Sequence, residues 1–467
     1  LWGLAKLIKF AARIPSKFMN HNRNWRVVTL LSVCFAVYIL FSVLAYAFHF
    51  DWKPFKNINL ISEIIKPELI NKKEENSNFA DSETKQNIKK NFELYKKADL
   101  ITNFSAETNE ASLVHLVEKL DSLIKNKKGK IRIAYFGDSM IEGDLLTKKL
   151  RQLLQQKYGG NGVGFLPMQS KVAPIRETSE IKASGWSVTN FMDKGATNMY
   201  ISGFSFKGAG NTSFTDKTLP HNTFTSKYLI FGRNSGGATV RYDSQNIALE
   251  NSGNVNRQLL SKDSLRTVSL KSNSPTTPFY GISIESDHGI ILDNYSFRGI
   301  TGVEFKKIDE NFLQEIQQKD QYDLVIMQYG VNLLFRPDDT EYSYYVKLMT
   351  PVLEKFKKAF PNSDLMMVST ADRAFRYNGE FQSAKGVKNL VETQAKMAFD
   401  NGFSFFNLFE TMGGENSIVK WASMEPPLAN KDYVHPNGRG TDILAKHIFD
   451  AIIADYKKFT SKKTVAQ

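Results

Sequence analysis

Leu113, Leu116, Val117, Leu120, Leu123 and Ile124 recur at helical spacing and form the apolar stripe of an amphipathic helix. Asn126, Lys127, Lys128 and Gly129 end it, and the run from Ile131 to Phe136 reads as a buried strand. After Ser139 the period returns to helix, with Leu145, Leu146, Lys149, Leu150, Leu153 and Leu154, until Gly159, Gly160, Asn161 and Gly162 break it. Strand, tight turn and helix make the α/β unit that presents a residue at the carboxyl edge of a sheet.

From Ser170 to Asp287 the pattern changes to short alternating strands with Gly, Ser, Asn and Thr turns. Tyr228 to Phe231, Ala238 to Tyr242 and Tyr280 to Ile284 are the clearest. This predicts an inserted all-β sandwich over 170–287. The α/β alternation then resumes: helix from Glu304 to Gln318, strand Asp323 to Gln328, helix Tyr342 to Phe360, and strand Asp364 to Ser369. It closes with helix Ala384 to Asn401, strand Phe403 to Asn407 and helix Gly440 to Phe459. A parallel sheet covered by helices on both faces is expected, split between 111–169 and 288–460.

The first fifty residues carry Lys6, Lys9, Arg13, Lys17, Arg23 and Arg26 but no acidic residue. The uncharged stretch 27–50 follows, long enough to rise about 36 Å as a helix against about 30 Å of hydrocarbon. A transmembrane anchor is expected there, with 1–26 as a basic, partly amphipathic cytoplasmic segment and the rest of the chain outside the inner membrane. A cleaved signal peptide is the other reading, since Ala45, Tyr46 and Ala47 suit a cleavage site. Residues 51–110 are polar and charged and read as a tether that reaches about 200 Å if fully extended. The net charge of +13 is concentrated enough beside the apolar stretch to point to a membrane surface rather than to nucleic acid. The lone Cys34 lies inside the apolar run, and the 7 His show no metal-ligand spacing, so neither a disulfide, a metal site nor a cofactor is expected.

Gly137, Asp138 and Ser139 end the first strand, and Asp432 and His435 stand three apart before the last helix. A serine hydroxyl needs a base to become a nucleophile, which makes His435 the candidate base and Asp432 the group that orients it. The Ser139 N–H, at the start of the following helix, is one expected oxyanion donor. The Asn332 carboxamide and a glycine N–H in the turn Arg298 to Gly302 are the others. Asp138, Met140, Gly299 and Gly330 are expected to line the site. Asp372 and Arg373, after the strand ending at Ser369, read as a structural salt bridge, with site lining as the alternative.

These blocks resemble the SGNH (GDSL) hydrolase superfamily, with a three-layer α/β/α fold. The resemblance implies Ser139 as nucleophile, Gly302 and Asn332 as oxyanion donors, Asp432 as orienting acid and His435 as base, with Gly299 standing as the alternative to Gly302. Tyr135 to Met140, Gly160 to Pro167, Met412 to Ser417 and Trp421 further resemble the periplasmic peptidoglycan O-acetylesterases and their sister O-acetyltransferases. Those proteins carry an inserted, jelly-roll-like sandwich similar to carbohydrate-binding modules, in which Trp186, Tyr200, Phe204, Phe206, Tyr228 and Tyr242 here are candidates for stacking on sugars, or for core. That family often has His after the nucleophile, where this chain has Met140. The implied function is removal of O-acetyl groups from peptidoglycan or another envelope polysaccharide through an acetyl-serine. The alternatives are transfer of acetyl from a membrane-bound O-acyltransferase partner onto a glycan, and glycan binding without catalysis.

Overall fold

The computed structural model describes residue 29 and residues 31–37, 91–104 and 109–465, in a chain that divides into two units, 1–85 and 86–467. In the first unit, 31–37 is helical. The expected span 27–50 otherwise lies outside the described residues, as do 1–26 and most of the tether. Among the described residues no helix is long and apolar enough to cross a membrane.

The second unit is built on a six-stranded sheet. Its strands are β1 (Ile101–Thr102), β2 (Lys130–Gly137), β3 (Gly289–Ser296), β4 (Tyr322–Gln328), β5 (Asp364–Val368) and β6 (Ser404–Phe406), in the order β1-β6-β5-β4-β2-β3. All neighbours are parallel except β1, which runs antiparallel to β6. Strand alternation sends Ile133 and Tyr135 of β2 to one face and Ala134 and Phe136 to the other. The first face is covered by α1 (Val114–Asn126), α2 (Thr147–Tyr158) and the last helix, α6 (Gly438–Val465), through Leu120, Leu150 and Ile448. The second face is covered by α3 (Glu310–Asp320), α4 (Ser343–Ala359) and α5 (Val387–Asn401), through Leu313, Phe356 and Leu390. Both faces are therefore dry, which is why the strands read as continuous apolar runs.

The segment between β2 and β3 forms two further antiparallel sheets. They share a core that includes Phe206, Phe214, Leu229, Val240, Leu270 and Ile282. The outer face of one of them packs on the α/β part, since Phe165, Tyr200, Ile230 and Tyr280 join the cluster that holds Ala134 and Phe136. Strand Phe279–Glu285 is buried along its whole length for that reason. Gly164–Pro167, which the sequence places with the α/β part, pairs antiparallel with Phe279–Glu285. Its glycine-rich start hides the strand signal, and its pairing partner lies more than a hundred residues away.

The aromatic residues of this region are mostly core. Tyr200, Phe206 and Tyr242 are buried. Trp186 packs edge-on against Phe279 and donates its indole N–H to Thr212 Oγ1. Phe204 stacks on Phe297, and Tyr228 lies under the Arg257 guanidinium.

Candidate active site

Ser139 sits two residues past the end of β2, the strand between β4 and the edge strand β3. Gly137 makes the exit possible: a Cβ there would stand 2.8 Å from Ile141 and 3.2 Å from the Gln328 carbonyl oxygen. Ser139 is not at a helix N-terminus, contrary to the sequence-based expectation. A 3-10 turn over Glu142–Asp144 intervenes, and positive φ at Gly143, Asp144 and Leu146 keeps α2 from starting before Thr147.

The Ser139 Oγ lies 2.8 Å from His435 Nε2, and His435 Nδ1 lies 2.8 Å from Asp432 Oδ2. The short spacing of the acid and base closes on itself: the N–H groups of Val434 and His435 donate to Asp432 Oδ1 at 2.9 and 3.0 Å. Burial raises the Asp432 carboxyl, but these bonds and the His435 ring outweigh it and hold the group below the usual carboxylate range. Asp432 is thus ionised and fixes the imidazole with Nε2 facing the serine. The loop is anchored at its far end by Asn437, whose side chain accepts from the Arg439 and Gly440 N–H groups at the start of α6. Tyr433 adopts φ 56°, its carbonyl accepts from Ala374 N–H at 2.9 Å, and its ring stacks on Phe381 with centroids 4.0 Å apart.

Asn332 is brought against Asp138, the residue before Ser139, and its carboxamide is engaged. Its Nδ2 donates to Asp138 Oδ2 at 3.0 Å and to the Ile300 carbonyl at 2.9 Å. Both amide hydrogens have acceptors, so donation to an oxyanion requires one of them to be shared. Neither the Ser139 N–H nor the Gly302 N–H has an acceptor among the described residues. Gly302 has φ 91°, and a Cβ there would stand 2.9 Å from Tyr329. Gly299, by contrast, has open space around it. Gly330 has φ 146° and packs so closely that a Cβ would stand 2.3 Å from Thr370 Cβ.

Asp138 is fully buried, and its Oδ1 accepts from Met140 N–H at 2.9 Å. Burial pushes its carboxyl up to about 7, with the Met140 and Asn332 donors pulling against that rise. Met140 is buried, and its side chain joins the core between the sheet and α1, α2 and α6. Asp372 and Arg373 do not form a salt bridge. Asp372 is buried and accepts from Ser383 Oγ and Ile418 N–H, whereas Arg373 Nη1 donates to the Val331 carbonyl. Adjacent residues leaving a strand point apart, and each takes the partners its own side offers. Among the described residues no three His, Cys, Asp or Glu side chains are arranged to hold a metal ion.

One supporting residue escaped the sequence reading. Gln394 on α5 is fully buried, donates to the Tyr329 carbonyl and accepts from Thr370 N–H, tying the Gly330–Asn332 turn to β5. Its signal is a lone polar residue in the apolar stripe Leu390, Val391, Ala395, Ala398.

The sheet order, the helices on both faces and the placement of this serine define the fold of the SGNH (GDSL) hydrolases, carrying a triad geometry. A solved structure to which this chain is similar, "Peptidoglycan O-acetylesterase in action, 5 min", aligns with TM-score 0.63 and 18% identity over 73% of this chain and 96% of that one. A family two carbohydrate esterase from Cellvibrio japonicus (10% identity, 60% and 99% coverage) and an acetyl xylan esterase (16%, 35% and 81%) align with TM-scores of only 0.26 and 0.27. No family model and no curated protein matches the chain.

Proposed function

We propose that this protein is a membrane-anchored, extracytoplasmic serine esterase that removes O-acetyl groups from peptidoglycan or another envelope polysaccharide. The observation that carries the reading is the unbroken relay Ser139 Oγ, His435 Nε2, His435 Nδ1, Asp432, with both contacts at 2.8 Å. Its fold likeness to a peptidoglycan O-acetylesterase over nearly that whole chain supports the choice of substrate. The basic segment 1–26 before the apolar stretch 27–50 supports the anchor and its orientation.

In this mechanism Ser139 Oγ attacks the acetyl carbonyl carbon while His435 Nε2 takes its proton, and Asp432 stabilises the imidazolium. The carbonyl oxygen becomes an oxyanion facing the Ser139 and Gly302 N–H groups. Collapse breaks the bond to the sugar oxygen, which receives the proton from His435. Water then attacks the acetyl carbon of acetyl-Ser139 as His435 takes its proton, and collapse breaks the bond to Ser139 Oγ, which receives that proton as acetate leaves.

The test combines a serine-directed sulfonyl fluoride with acetate release from O-acetylated peptidoglycan fragments and aryl acetates. Wild type is expected to carry the adduct on Ser139, and Ser139→Ala to lose roughly a thousandfold or more in kcat. Equal activity in both proteins, or no adduct on Ser139, defeats the proposal. Acetyl transfer to an added sugar acceptor in preference to acetate release would make the protein a transferase using the same residues.

A further inference from the structure

We propose that the Arg373 guanidinium forms an anion subsite beside the Ser139–His435 pair and takes a carboxylate of the O-acetylated glycan. The inference rests on the esterase reading above and names the chemical class of its substrate.

Arg373 stands between the two loops that make the site. Its Nη1 donates to the carbonyl of Val331, the residue before Asn332, at 2.8 Å. Its neighbour Ala374 donates its N–H to the Tyr433 carbonyl, within the Asp432–His435 loop, and the Asp432 charge acts on the guanidinium. The Phe375 ring lies 4.9 Å from the guanidinium carbon and supports one of its sides. Arg373 is half-buried, yet it forms no ion pair with any carboxylate of the described residues. Its Nε is enclosed and donates to no acceptor among the described residues.

A cation taken partly out of water carries a desolvation cost, which the Val331 carbonyl, the Phe375 ring and the Asp432 charge offset only in part. Other buried arginines have a carboxylate close by: Arg132, Arg151 and Arg257 each meet one or more within 3.0 Å, and Arg176 has Asp144 at 3.6 Å. With one Nη1 hydrogen on Val331, the end of the fork keeps the other Nη1 hydrogen and Nη2, the geometry that receives a carboxylate through two parallel hydrogen bonds. Peptide stems of peptidoglycan and uronic acids both supply that group.

The experiment measures kcat/KM on two matched pairs: an O-acetylated disaccharide-peptide and its carboxyl-amidated form, and an O-acetylated uronate oligosaccharide and its carboxyl-reduced form. Wild type is expected to prefer the free carboxylate about tenfold or more in at least one pair, and that pair identifies the source. In Arg373→Gln, which removes the charge and the guanidinium fork, the preference collapses toward one, and Arg373→Lys restores part of it. Any general effect on catalysis cancels in the ratio. A wild-type ratio near one in both pairs, or a ratio unchanged in Arg373→Gln, overturns the proposal. Binding of the deacetylated acidic fragment to Ser139→Ala, compared with the Ser139→Ala/Arg373→Gln double variant, reads the subsite without catalysis. Tighter binding by the first protein upholds the subsite even if the esterase reading fails.

Discussion

Asp138 is the residue whose chemistry is most sharply divided. Two N–H donors fit its ionised form, while complete burial favours the neutral one, and the outcome is a carboxyl raised to about 7. Between about pH 4 and about pH 7 the folded protein therefore holds a proton that the unfolded chain has released, and the Asp138 contribution to stability falls as pH rises through that window. Asp138→Asn lacks this dependence, and whatever the amide costs in hydrogen bonding is the same at every pH. Unfolding free energies of the two proteins should thus show the wild type losing ground to the variant by up to about 4 kcal/mol from the acid to the neutral end. A difference that stays flat across the window would place the Asp138 titration elsewhere.

At the scale of elements, the Asp432–His435 loop leans on the two-stranded hairpin of Ala374–Tyr377 and Glu380–Ser383. The contacts are the Ala374 hydrogen bond to Tyr433 and the Phe381 ring on Tyr433. Phe381 is partly exposed, so truncating it removes modest apolar burial, about 1 kcal/mol of stability. Its larger effect should fall on the chemistry, because Tyr433 lies between Asp432 and His435 in a left-handed conformation that a loosened loop would leave. Phe381→Ala is expected to lower kcat on an aryl acetate several-fold with little change in KM. Steady-state kinetics with a thermal melt on the same protein checks this, and a changed KM at constant kcat would assign Phe381 to substrate binding instead.

For the whole second unit, the joint between the β-rich segment and the parallel sheet is ionic as well as apolar. Glu285 is met by Arg132 at 2.5 Å, Arg257 at 2.5 Å and Lys130 at 2.6 Å, while Arg132 also reaches Asp293 and Arg257 reaches Asp320. Burial raises the Glu285 carboxyl, but these cations outweigh it and hold the group well below the usual carboxylate range. Glu285→Ala would leave Arg132 and Arg257 buried with less than their share of negative charge, at a cost of about 3–5 kcal/mol. Denaturant unfolding should show one transition moved to lower denaturant. Two separated transitions would mean that the β-rich segment and the α/β part fold independently.

The chain by itself determined most of the order of strands and helices, though not the strand Ile101–Thr102 inside the expected tether, and it singled out Ser139, His435 and Asp432, which the fold brings into contact. Those features are local: apolar period fixes element type, a Gly-Asp-Ser turn ends a strand, and an acid and base three residues apart can bond within one loop. Local patterns also carried the change to β structure between β2 and β3, although the early pairing of Gly164–Pro167 with Phe279–Glu285 was hidden. Only the tertiary structure decided which acceptors hold Asn332, that Met140 turns into the core, and that Arg373 reaches Val331 rather than its neighbour Asp372. Each of these depends on the distance and direction between segments far apart in sequence. Hydrogen bonds and desolvation respond to that geometry within a few tenths of an ångström, and no periodicity along the chain encodes it.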